Sequence, residues 1–157
     1  MTKTSRELIS RLWNDAWKDG LWAASWSKSL DGLTAGQAAW HPPNAPGVSG
    51  ERHSIWQNVL HMCLWREHWL RKLSGGTTAK DVLERENFPP ITDHSESAWS
   101  AAKSRFLESQ TRLAAALTDA MTSDEQFEAI THFLPHDCYH FGQINLIRGM
   151  LGLMPVE

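Results

Sequence analysis

At 157 residues the chain has room for one domain with a single core and too little for two. Its 41% apolar and 21% charged residues are those of a folded globular protein rather than a disordered one, and a net charge of −3 with no Lys/Arg cluster gives nucleic acid no basic face. No run of about 18 apolar residues is present to cross a membrane, and the N-terminus opens on an amphipathic pattern instead of a leader's apolar block; the expectation is one cytoplasmic domain over residues 1–157.

Residues 4–29 read as a first helix, with Leu8, Leu12, Ala16 and Leu21 at helical spacing and Trp13, Trp17, Trp22 and Trp26 running beside them as packing. Gly20 interrupts that pattern and marks a kink or break. Residues 30–50 are dense in Gly and Pro and predict a long connection, with at most one turn at 34–39 and Trp40 pinning it to the core. A second helix follows over 53–73, started by Ser54 or His53 and ended by Ser74-Gly75-Gly76. It is apolar nearly all round and so largely buried, but the face around His61 mixes Ser54, Gln57, Asn58, Leu64, Trp65 and His68. Residues 74–92 form a second long connection with a short turn at 81–84. A third helix over 93–120 is expected to start on an Asp93/Glu96 capping box. Residues 128–132 are a separate turn or irregular, and Pro135 belongs in the first turn of a fourth helix over 133–152. Four helices with two long connections predict an all-α four-helix bundle that is not a simple up-down-up-down.

The fourth helix carries His136 and His140. At ~100° per residue they lie about 40° apart, so both rings leave one face and can reach one ion. Phe133, Gln143, Ile144, Ile147, Met150, Leu151 and Met154 fall within about 80° of His136, which places the pair on the stripe expected to be buried. His61, on the polar inward face of the second helix, is the third candidate, and three protein ligands leave a position open, as in a catalytic rather than a structural site. The alternative is a set of buried histidines bonded to carbonyls or side chains. There is no Glu-x-x-His for a carboxylate-bridged di-iron site, no H-E-x-x-H, and a histidine pair on one helix does not suit a bis-histidine haem. Cys63 and Cys138 fall about 200° from His61 and His136 and read as small, buried, unpaired thiols. Asn58 and Gln143 are candidates to orient a ligand, and His68 to sit behind or at the mouth of the site. His132 is near the same line as His136, ahead of the regular helix. Asp137 points about 100° from His136 and is expected to act, if at all, through a neighbouring helix.

Asn58-x-x-His61 together with His136-Asp-x-Tyr139-His140-x-Gly142-Gln143-Ile144 and Arg148 resembles the DinB/YfiT-like family, as do Leu33-Thr-x-x-Gln37-x-x-Trp40-x-Pro42 and Trp99 early in the third helix. The resemblance spans nearly the whole chain. It implies an up-down-down-up bundle, frequent homodimers, and a divalent metal (zinc, nickel, manganese or iron) on His61, His136 and His140. It also implies metal-dependent transfer or isomerisation with low-molecular-weight thiols such as bacillithiol, mycothiol or glutathione. The residues themselves are compatible with that chemistry. A metal with an open position can activate water or a thiol near neutral pH, and no protein nucleophile faces the site. The expected partners are therefore a small thiol and an electrophile, with no nucleic acid and no membrane. A non-catalytic, stress-related metal-binding bundle and a metal-dependent hydrolase using bound water are the alternatives.

Overall fold

The structure is a computed structural model that describes residues 4–156. Every element among the described residues is a helix: α1 (Ser5–Lys18), α2 (Trp26–Leu30), α3 (Ala35–Ala39), α4 (Ile55–Leu73), α5 (Lys80–Arg85), α6 (Glu96–Thr118), α7 (Asp124–Thr131) and α8 (Phe133–Met150). No helix is long and apolar enough to cross a membrane.

The expected first helix stops eleven residues early. α1 starts on a capping box between Thr4 and Glu7 and ends at Lys18, with Asp19 closing its last turn. Gly20 then takes a left-handed φ of +80°, and a Cβ there would lie 1.9 Å from the Ala23 carbonyl oxygen, so only glycine fits the turn. Trp22 also has positive φ (64°) and stands fully exposed, so it leaves the tryptophan packing in which it was expected. Ser25 caps a fresh start, and α2 turns Trp26 inward, edge-on to Trp13 at 5.2 Å and stacked on Phe141 at 5.3 Å. The break thus lets one ring join two helices.

α3 forms where one turn was expected, capped by Thr34 and Gln37, and Trp40 packs half-buried on the core behind it. α4 follows its predicted span, with a Ser54/Gln57 capping box. The expected box at the head of the third long helix does not form. Ser95 caps α6 instead, Asp93 accepts the Ser95 N–H, and the Glu96 carboxylate accepts the Ala35 N–H at 2.8 Å. Glu96 therefore ties α3 to α6 rather than closing its own helix. The stretch before α8 is more ordered than expected: Ser123 and Gln126 cap α7, and His132 joins α7 to α8 with helical dihedrals. Pro135 lies in the first turn of α8, where a missing N–H costs nothing.

The long helices pack in the series α1 on α6, α6 on α4 and α4 on α8, with α3 bridging α4 and α6 and α2 lying on α8. Their shared core includes Trp13, Ile55, Val59, Met62, Trp99, Phe106, Leu113 and Ile144, all at most 1% exposed. The Trp99 indole N–H donates to the Leu33 carbonyl at 2.9 Å and anchors the first connection from inside.

Candidate metal centre

α8 buries only part of the stripe centred on His136. Its buried residues are Phe133, Asp137, His140, Phe141, Ile144, Ile147 and Arg148, whereas Met150 and Met154 are exposed. The helix is turned toward Asp137 because that carboxylate has a buried partner. Arg66 of α4 gives it two hydrogen bonds, from Nε at 2.9 Å and Nη2 at 2.6 Å, and both side chains have no solvent exposure. The same guanidinium donates to Ser109 Oγ at 3.2 Å and lies 4.1 Å from the Phe106 ring centroid. His136 is left at the edge of the core, partly exposed.

The rotation brings three rings together. His61, His136 and His140 each offer a nitrogen within 4.8 Å of the others', and their ring centroids are 5.3, 4.6 and 4.5 Å apart. What each ring's other nitrogen does fixes its chemistry. His61 Nδ1 meets Asn87 Oδ1 at 2.9 Å and the Asn87 carbonyl oxygen at 3.1 Å. The Trp65 indole N–H, which can only donate, also points at Asn87 Oδ1 (2.9 Å), so the amide must present its oxygen and His61 must donate from Nδ1. His136 Nδ1 meets Asp137 Oδ1 at 2.8 Å while Arg66 holds the other carboxylate oxygen. His140 Nδ1 faces Asn58 Oδ1 at 2.8 Å and Gln143 Oε1 at 3.0 Å. Asn58 donates its amide to the Ser54 carbonyl, and Gln143 donates its own to the Tyr139 hydroxyl, so both turn oxygen toward the ring.

All three rings therefore carry a proton on Nδ1, which leaves Nε2 as the nitrogen each can turn to an ion. The His61 and His136 Nε2 atoms approach to 3.2 Å. Two lone pairs at that distance repel unless a proton or a metal ion lies between them. Three imidazole nitrogens held from behind by an amide, a carboxylate and an amide pair suit a borderline divalent cation. The electrostatics agree. Burial first, and the neighbouring His61 and His136 second, push His140 from the ordinary 6.5 down to about 4. Burial and then His136 also lower His61, against the opposing pull of its Asn87 bonds. Both rings are thus kept neutral, the form that binds metal.

Beside the triad lies a cavity of about 690 Å³, into which His61 and His136 open. Trp65, Trp69 and Phe133 wall it, with Asn87 from the second connection and Glu125, Glu128, Ala129 and His132 from the α7–α8 junction. Phe88 stacks between His61 (4.2 Å) and His53 (3.5 Å) and so closes the back of the His61 ring.

Of the residues the sequence singles out, Asn58 and Gln143 reach the triad through His140, and His132 lines the cavity without joining the cluster. His68 does not reach it: its ring packs against Trp65 and Trp69, and it faces a smaller pocket with Glu67 and Arg105. Both cysteines are free, but Cys138 is exposed, not buried as expected, because the turn of α8 that buries Asp137 carries its neighbour outward; Cys63 is buried. Arg66 and Asn87 were missed, and Asp137 was given no direct part. A charged residue on the apolar side of α4, with Val59, Cys63 and Leu70, was a readable signal for Arg66; Asn87 sits in a connection whose path the sequence does not specify.

No curated protein and no solved structure matches the chain. A family model does: that of the DinB superfamily matches residues 21–148, a span holding all three histidines and each residue that braces them. On that match the chain belongs to the DinB superfamily.

Proposed function

We propose that His61, His136 and His140 hold a divalent metal ion (zinc, nickel, manganese or iron) through their Nε2 atoms. We further propose that the protein is a metal-dependent enzyme, by preference one that transfers a low-molecular-weight thiol to a small electrophile. The observation that carries the reading is that all three Nδ1 atoms are committed to oxygen acceptors whose own orientation is fixed by further bonds. Rings braced in this way present preoriented lone pairs to one point. An ion there supplies Lewis acidity, which lowers the pKa of a thiol or water at neutral pH.

The chain's own residues set the rest. No Ser, Cys, Thr or Lys is among the residues lining the cavity, so a nucleophile from solvent or from a small cofactor is the economical choice. Trp65, Trp69 and Phe133 offer an apolar wall that excludes water from one side of a bound molecule, and Asn87 holds His61 at the rim. A cavity of this size also separates the reading from that of a purely structural ion, which needs no space beside it. The same reading takes α1, α4, α6 and α8 as an up-down-down-up bundle, supported by their packing series. It takes the molecule as a homodimer, supported by the exposed line of Tyr139, Leu146 and Met150 along α8.

The test is elemental analysis of protein purified without a polyhistidine tag, followed by consumption of bacillithiol, mycothiol or glutathione with an electrophile, with and without chelator. Near-stoichiometric metal and chelator-sensitive thiol consumption are expected. Metal bound equally well by a His136→Ala variant overturns the site. Metal without thiol dependence but with chelator-sensitive ester or amide cleavage replaces transfer by hydrolysis.

A further inference from the structure

We infer that the cavity beside the histidine triad selects a ligand bearing an organic cation, recognised by Glu125 and Glu128 and by the aromatic wall of Trp65, Trp69 and Phe133. This rests on the proposed function and deepens it, since it takes that cavity as the seat of the electrophile rather than of the thiol.

The charge of the cavity follows from the phase of α7. Residues 125, 128 and 129, with 132 at the junction, follow the i, i+3, i+4, i+7 spacing of one helix face, and these are the α7–α8 residues that line the cavity. The residues that α7 turns the other way, Phe127 and Ile130, pack into the protein; Ile130 is 1% exposed and Phe127 lies 4.5 Å under the Arg6 guanidinium. The helix is thus held by its apolar side, and its acidic side faces the space beside the triad.

Among the described residues Glu125 and Glu128 have no ion-pair partner, whereas Glu67, Glu84, Glu86 and Asp124 each pair with a base. No Lys or Arg lines the cavity. Lys72 rests on the Trp69 ring, its Nζ 4.0 Å from the centroid, without being part of the lining. Aromatic rings and unpaired carboxylates lining one cavity are surroundings in which an organic ammonium is held by both charge and ring quadrupole. An anionic ligand meets two like charges there instead.

A separate observation ties the cavity to the histidine triad. His61 is 8% exposed, donates its Nδ1 proton to Asn87, and turns its Nε2 toward His136 Nε2 at 3.2 Å. Two ring nitrogens this close are satisfied by a shared proton or by an ion, and an ion held there borders the cavity that His61 and His136 line.

The experiment compares three aromatic probes by quenching of tryptophan fluorescence: benzyltrimethylammonium, benzyl alcohol and benzenesulfonate. The quaternary ammonium has no lone pair, so its binding does not pass through a metal, and each titration is run on metal-loaded and on chelated protein. The cation is expected to bind about five- to tenfold more tightly than benzyl alcohol, with the sulfonate weakest, and the advantage should shrink as salt is raised. In E125Q/E128Q, two exposed positions whose change leaves the core alone, the cation's advantage should fall to within about twofold while benzyl alcohol binding stays the same. Equal affinity for cation and sulfonate, or a preference that survives E125Q/E128Q, overturns the inference. A preference seen in protein that binds no metal sustains it while sinking the proposed metal chemistry; metal-dependent thiol transfer without any charge preference does the reverse.

Discussion

The Arg66 guanidinium and the Asp137 carboxylate meet with no solvent exposure on either side, and the second carboxylate oxygen takes the Nδ1–H of His136. One ion pair therefore serves the core and the site at once. It joins α4 to α8 in the interior and sets the tautomer and direction of a ring at the cavity edge.

That double role predicts a split between stability and metal affinity. Asp137→Ala leaves a buried guanidinium without its partner, and the expected loss is about 3–5 kcal/mol in denaturant unfolding. The pair replacement Arg66→Met with Asp137→Leu removes both charges and should recover most of that stability. It also leaves His136 without its acceptor, so metal affinity should remain about 10–100-fold below wild type. If the double variant regains both stability and metal affinity, Asp137 is only a core residue.

His140 is braced twice where His61 and His136 each depend on one neighbour. Asn58 and Gln143 share its Nδ1, and Asn58 is fully enclosed while Gln143 is partly exposed. Asn58→Ala should lower metal affinity by about tenfold or more and Gln143→Ala by only a few-fold, as read by competition with a chromogenic chelator. Asn87→Ala should match Asn58→Ala, since it frees His61 and strands the Trp65 indole N–H. Equal, negligible effects of all three would show that the ring orientations do not depend on these amides.

Much of this was legible beforehand, and the reasons differ by residue. His136 and His140 are visible because helical spacing alone puts them on one face, and Asn58 and His61 because they share the polar face of an otherwise buried helix. The break after α1 was announced by Gly20, but where the chain resumed was not, because Ser25 restarts the helix only once Trp26 finds Trp13 and Phe141. The phase of α8 was misjudged by taking the histidines as its centre; Asp137 was expected to act through a neighbouring helix, and its partner Arg66 does lie on α4, but nothing local named that partner. Long-range pairs of that kind, and the docking of Asn87 from a connection, depend on tertiary placement that no local pattern encodes.

The two cysteines should separate cleanly. Cys138 is exposed, with its thiol raised by partial burial and then by the Asp137 charge, whereas full burial pushes the Cys63 thiol up to about 12. A disulfide-exchange reagent should titrate one thiol in the native protein and the second only on unfolding, with no loss of metal from the singly modified form. Two native thiols reacting together, or metal released by the first, would contradict this placement.

Acid should loosen the metal-free protein through the triad, and the sign follows from the direction of the shifts. His140 titrates near 4 in the folded chain against the ordinary 6.5, and His61 moves the same way. Between those values the unfolded chain binds more protons than the folded one, so unfolding free energy rises with pH across the window. The contribution is fully present above about 6.5 and is lost as pH falls toward about 4. The thermal midpoint of chelated protein should accordingly drop between pH 7 and 5, and His140→Gln, which cannot take up the proton, should show a flatter profile over that range. Bound metal should hold the wild-type midpoint up to lower pH, because a ring already reluctant to protonate gives protons little advantage over the ion. Parallel slopes for wild type and His140→Gln would mean that the ring is not the group that resists the charge.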